Sequence, residues 1–332
     1  MDRQALLKNV AERAWQASHP SVEPSAVSSL QNPLPAVSHA WLKAAAAQFG
    51  VDEQTQRQFA QTGLLQLDAL HVVMICQSEA PVPLWLAVGY LRTPAEIYPE
   101  SWQQVLLRAN GVAMAMNGIS LSLDESGATL LSRRLAVDTV DDAVALAEIL
   151  NDLDALAASL IDLLFSLGQQ DAAQEENVIP ALPGWITGWQ RQTAMAVDAL
   201  AEQALASEWH YPLVRQAIES LRLPATQYDL NGCFCSLRFP ERDIALTADG
   251  DQRHLFLSTP LALSKESARQ ILLANGDLKT LTNCSLGLYD EQVSLLSRWD
   301  TLALDGNDLA EWLATLMTLT MAFSDDNQRG NL

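Results

Sequence analysis

The sequence predicts an α+β protein built as two tandem modules, each an antiparallel sheet with three helices. Three observations predict it. A 27-residue stretch recurs without a gap at an offset of 165, half the chain length. Within each copy the order is helix, strands, helix, strands, helix, rather than the strict strand–helix alternation of a parallel sheet. The chain has 332 residues and 49% hydrophobic side chains, enough to fill two cores.

The repeat pairs 107–133, LRANGVAMAMNGISLSLDESGATLLSR, with 272–298, LLANGDLKTLTNCSLGLYDEQVSLLSR. Eleven of the 27 positions are identical, where composition alone gives roughly two or three. After a two-residue slip the match resumes, Leu146-Ala147-Glu148-Ile149-Leu150 against Leu309-Ala310-Glu311-Trp312-Leu313. Slips of that size belong in loops.

The first module opens with a short helix over 38–50, carrying Trp41, Ala45 and Phe49. Residues 69–77 and 83–91 are apolar on both faces and read as buried strands. A second helix spans 99–116, with a capping Ser101 and with Asn110-Gly111 as its expected left-handed end. Ile119, Leu121 and Leu123 then alternate with Ser120 and Ser122 as a strand. Residues 126–128 turn the chain into a partner strand, 129–137. Asp141-Asp142 marks the start of a long closing helix, where negative charge is favourable. That helix carries Leu146, Ile149, Leu150, Leu153, Leu156, Leu160, Leu163 and Leu164 on one stripe.

The second module repeats the order: helix 207–222, strands near 231–239, 243–248 and 254–259, helix 264–280, strands near 284–289 and 293–300, helix 306–323. Its closing stripe is Leu309, Trp312, Leu313, Leu316, Leu319 and Phe323. The expected organisation is an N-terminal arm over 1–36, module 1 over 37–166, a linker with a helix (189–206) over 167–206, module 2 over 207–326 and a tail over 327–332. The closing helix covers one face of each sheet, so a helix, the other module or a bound partner must cover the second face.

There are 20 Lys+Arg against 40 Asp+Glu, a formal charge of −20. Phosphate backbones and anionic lipid surfaces repel such a chain, so no nucleic acid and no membrane partner is expected. No apolar run approaches 18 residues, so no membrane insertion is expected, and no signal peptide is evident in the first residues. The four cysteines, Cys76, Cys233, Cys235 and Cys284, are too few for a disulfide framework. Cys233-x-Cys235 lacks the spacing and the further ligands of a zinc site and reads as core material. The five histidines make no metal-binding pair, and nucleotide and nucleophile-elbow fingerprints are missing. No catalytic residue, no metal and no cofactor is therefore expected, and the protein is not expected to be an enzyme.

The two L-x-A-N-G segments (Leu107 to Gly111, Leu272 to Gly276), the hairpins that follow and the two closing amphipathic helices resemble the class I type III secretion chaperones, the Tir-chaperone or CesT-like family. The resemblance covers both modules but neither the arm nor the linker. Members are usually single modules that homodimerise, so it implies a built-in, monomeric pseudo-dimer in the bacterial cytoplasm. Carried over, the module interface is Trp102, Val105, Leu106 and Ala109 facing Ala268, Ile271, Leu272 and Leu273. The function implied is to hold the N-terminal segment of a secreted effector extended and secretion-competent. The implied partner-binding residues are Val73, Ile75, Trp85 and Ala87 in the first module, and Phe234, Ser236, Ile244 and Phe256 in the second. A regulatory or scaffolding protein on the same fold, binding a folded secretion-apparatus component or regulator, is the alternative.

Overall fold

The computed structural model describes residues 34–77, 84–91, 98–171, 208–232, 234–239, 242–263, 267–289, 292–302 and 304–329. The expected linker helix, Cys233 and all of the expected arm before Leu34 lie outside these residues. Among the described residues the protein is α+β, with seven helices and two antiparallel sheets of five and six strands, roughly two tandem modules.

The first half runs α1 (His39–Ala47), α2 (Glu53–Thr62), β1 (Leu64–Gln66), β2 (His71–Gln77), β3 (Leu84–Leu91), α3 (Pro99–Asn117), β4 (Ile119–Leu123), β5 (Thr129–Arg134) and α4 (Ala143–Asp171). The second runs α5 (Tyr211–Ser220), β6 (Tyr228–Asn231), β7 (Phe234–Phe239), β8 (Arg242–Ala248), β9 (His254–Pro260), α6 (Ala268–Thr282), β10 (Cys284–Tyr289), β11 (Gln292–Asp300) and α7 (Gly306–Arg329). The sheets are ordered β4-β5-β3-β2-β1 and β10-β11-β9-β8-β7-β6. Strand for strand the order is the same, with β6 added. Duplication thus reaches the topology as well as the sequence.

Two compact units result. Among the described residues, the first comprises those within 34–106, 117–171 and 269–283, and the second those within 107–116, 208–268 and 284–329. Each unit therefore includes a segment of middle helix from the other half of the sequence.

In the first unit, α1 and α4 lie on one sheet face. Trp41 meets Trp85 edge-on at 5.3 Å and 86°, and Arg133 pairs with Asp152 of α4 at 2.7 Å. Asp142 caps α4 as its sequence predicts, accepting from the N–H groups of Val144 and Ala145. The stripe residues Leu146, Leu150 and Leu153 are fully buried. In the second unit, α7 and α5 take the equivalent face. Trp312 of α7 stacks at 5.4 Å on Trp299 of β11, and Gly306 is closed down on Gln216 of α5. Leu309, Leu313 and Leu316 are buried to the same degree as their counterparts.

Three elements carry no clear periodic signal in the sequence: α2, β1 and β6. Helix α2 is polar, yet Asp52 caps it by accepting from Gln54 N and Thr55 N at 2.8 and 3.0 Å. Strands β1 and β6 are only three and four residues long.

Asn110-Gly111 is not a helix end, contrary to the expectation. Helix α3 continues to Asn117, and Gly118 supplies the left-handed residue at φ 64°. Asn110 and Gly111 lie in mid-helix, where Gly111 is pressed onto β10. A Cβ at Gly111 would stand 2.6 Å from Leu288 O. Glycine is there for closeness, and the turn it resembles never forms.

The two hairpins also differ. Leu123 pairs with Thr129 across a five-residue turn containing Gly127, at φ 87°. Tyr289 pairs with Gln292 across two residues. Equal sequence lengths thus close with registers one residue apart, and a one-residue slip turns every side chain to the other face. Arg133 and Arg298, matched by the sequence offset, consequently point to opposite faces. Arg133 meets α4, whereas Arg298 meets Asp249, Asp251 and Ala115 O.

Candidate partner-binding surface

Strands β7, β8 and β9 alternate cleanly. Cys235, Leu237, Ile244, Leu246, Leu255 and Leu257 point inward and are buried to 1% exposure or less. The intervening residues form the outer face. Register places Phe234 beside Thr247 and Thr247 beside Phe256; the next row is Ser236, Ala245 and Ser258. Phe234 is 45% exposed, and the other five are half-buried. With strands about 4.8 Å apart, these six residues make a shallow strip three strands wide. Short β6 flanks it and ends the sheet, with Asp229 and Asn231 exposed opposite Ser236 and Phe234.

Charge surrounds the strip at both ends. Arg238 and Asp243 face each other on neighbouring strands, both exposed. At the opposite end, the turn from β8 to β9 is tied by ion pairs. Arg298 binds Asp249 and Asp251, His254 Nδ1 lies 2.6 Å from Asp251, and Arg253 binds Asp300. Burial alone would raise the Asp251 carboxyl, but hydrogen bonds from His254 and Arg253 win and hold it below its ordinary range. The balance at Asp300 is the same, with Arg253 as the winning partner. Asp249, Asp251 and His254 have ligand atoms within 4.8 Å of one another. That donor set already has a cation, the Arg298 guanidinium, and the arrangement is a salt-bridged turn.

The expected site residues divide between surfaces. Phe234, Ser236 and Phe256 share the outer face of the second sheet. Ile244 points the other way, into the core, at 1% exposure. In the first sheet, Val73 and Ile75 belong to a cluster with Leu86, Val88, Tyr90 and Leu130, none more than 8% exposed. Trp85 and Ala87 lie on the opposite, α1–α4 face, at 3% and 0% exposure. Strands apolar on both faces carry no phase in their sequence, so which residues point outward is not legible there. The first sheet's outer face is apolar and buried at its centre, with Gln66, His71 and Arg134 toward its margins; the second's is mixed and partly open.

Of the expected interface residues, Trp102, Val105, Leu106, Ala268, Ile271 and Leu272 are buried. Ala109 and Leu273 are half-buried. Trp102 Nε1 donates to Thr129 Oγ1 at 3.0 Å, within the first unit.

Of the described thiols, Cys235 and Cys284 are buried and Cys76 is half-buried, its pKa raised by that burial. Cys284 is 1% exposed. Cys235 is pushed up to about 12 by burial and then by Asp229, so neither protonation state nor access suits nucleophilic chemistry. No helix among the described residues is long and apolar enough to cross a membrane. A scan against protein-family models finds no match, and a search of curated proteins finds no matching sequence.

Proposed function

We propose that the protein is a bacterial secretion chaperone, similar to the class I type III chaperones, which holds the N-terminal segment of a secreted effector in extended form. One observation carries the reading: the partly open strip Phe234–Thr247–Phe256 lies beside the short edge strand β6. Such a surface suits an extended segment, whose alternate side chains sit on the strip while its backbone pairs along an edge. Phe234 and Phe256 supply aromatic anchors at low conformational cost, and the flanking Ser236 and Ser258 accept hydrogen bonds. The net charge of −20 favours a segment that carries basic residues. Binding of this kind needs no catalysis and no cofactor. It belongs in the bacterial cytoplasm, before secretion.

The test is affinity capture from the source bacterium with mass spectrometry, followed by limited proteolysis of the captured complex. The proposal expects a secreted protein protected only near its N-terminus, and its loss when Phe234→Ser and Phe256→Ser are combined. Recovery of an intact apparatus component or regulator, unaffected by that pair, would replace this reading with the regulatory or scaffolding one.

A further inference from the structure

The first sheet's outer face carries one buried cluster. It runs from Val73 and Ile75 of β2 through Leu86, Val88 and Tyr90 of β3 to Leu130 of β5. Helices α1 and α4 lie on the other face. Leu64 of β1, paired with Val73 at the cluster's margin, packs against it. Beyond Leu64, no other hydrophobic side chain among the described residues is packed on the cluster. A sheet face this apolar and this dry requires a second layer over it.

The chain leaves the described residues at that margin. Leu34, the first of them, is buried. Its Cδ1 lies 3.1 Å from where a Cβ on Gly63 would stand, and Gly63 directly precedes Leu64. The 33 residues before Leu34 therefore start beside the cluster. Within them Leu6, Leu7, Val10, Ala11, Ala14 and Trp15 recur at helical spacing, on one side of a helix. Residues 1–33 hold three basic and three acidic side chains, so the charge of −20 belongs to the remainder and does not repel them. The lengths suit. Four strands, β1 to β5 through β2 and β3, are about 14 Å across. Residues 6–15 make a helix of about 15 Å, and residues 17–33 can span up to about 55 Å when extended. The other long stretch outside the described residues, 172–207, starts from the end of α4, on the opposite face, and must lead to the second unit at Glu208.

We propose that the first sheet's outer face is the docking surface of this chain's own N-terminal arm, with the apolar side of residues 6–15 laid across β2, β3 and β5. Attachment at Leu34 keeps the arm at a high local concentration beside its surface, so modest contacts hold it there. The contact does not depend on any effector. It closes the first sheet to other chains and leaves the strip on the second sheet as the open face. The two modules share a topology and differ in what lies on their outer faces.

Full-length chains carrying the photoreactive residue benzoylphenylalanine in place of Leu6, Val10 or Trp15 test this. Irradiation of a dilute sample, then digestion and mass spectrometry, should place the adducts on peptides of β2 and β3, within one chain. Adducts elsewhere, adducts joining two chains, or none at all would overturn the proposal. Val10→Asp combined with Trp15→Asp, again in the full chain, should speed hydrogen exchange in β2 and β3 while β7, β8 and β9 exchange as in the wild type. Exchange unchanged in the first sheet, or raised alike in both sheets, would overturn it as well.

Discussion

Gly111 and His210 each do something that their residue type alone does not announce. Gly111 is a spacer: Leu288 O lies only 2.6 Å from where its Cβ would be. Gly111→Ala is expected to destabilise by about 2 kcal/mol, because both opposing groups are backbone and neither can rotate away. Gly127→Ala is the control. Gly127 is left-handed with nothing within 4 Å, so its cost is only the φ penalty, about 1 kcal/mol. Urea titrations of the two variants should rank them in that order; equal midpoints would remove the close-approach argument. His210 is buried at 1% exposure between the rings of Trp209 and Tyr211. Burial holds its pKa below the ordinary 6.5, and the Gly232 backbone offsets only part of this. The unfolded chain therefore takes up the proton first. Stability is full above about pH 6.5 and is lost as pH falls below it. His71, lowered by burial as well, acts in the same sense. His210→Gln should flatten the fall in urea midpoint between pH 7 and pH 5; an unchanged slope would assign that fall to other groups.

At the scale of elements, the closing helices were the most legible part. Their leucines recur at helical spacing; the α4 stripe is buried from Leu146 through Leu163, and in α7 Leu309, Leu313 and Leu316 are buried while Trp312, Leu319 and Phe323 are half-buried. Leu150→Ala and Leu313→Ala remove fully buried side chains from equivalent places. Each is expected to cost about 2–5 kcal/mol, with the two values within about 1 kcal/mol of each other if the halves pack alike. Thermal or urea denaturation of both variants measures it. Strands β2 and β3 were legible as strands but not as faces. Val73 and Trp85 look alike in sequence and point to opposite sides, because a strand apolar on both faces has no alternation to read. Ile244 is a different case: its strand alternates, with Asp243, Ala245 and Thr247 outward, so its inward place beside Leu246 was legible in the sequence. Helix α2 could have been found from Asp52 alone, whose side chain accepts two backbone N–H groups and is held below its ordinary range chiefly by the hydrogen bond from Thr55. The hairpins β4–β5 and β10–β11 align in sequence without a gap and share residues, yet turn choice set their registers one apart.

For the whole molecule, the pseudo-dimer reading expects light scattering to give the mass of one chain, 36.3 kDa. A stable particle of twice that mass would show that the chain itself dimerises and would remove the monomeric pseudo-dimer reading. A charge of −20 also predicts that association with a basic segment slows as salt rises, with dissociation changing less. Stopped-flow measurements at two ionic strengths would show it. The sequence by itself determined the duplication, the α+β order of elements, the buried stripes and the acidic surface. These rest on local periodicity and composition, which survive in one dimension. Tertiary structure alone decided which strand faces look outward, that Asn110 and Asn275 reach strand carbonyls of the opposite sequence half, and that Arg133 and Arg298 diverge. Those outcomes depend on register and on approach between segments more than 150 residues apart, and no local pattern encodes such distances.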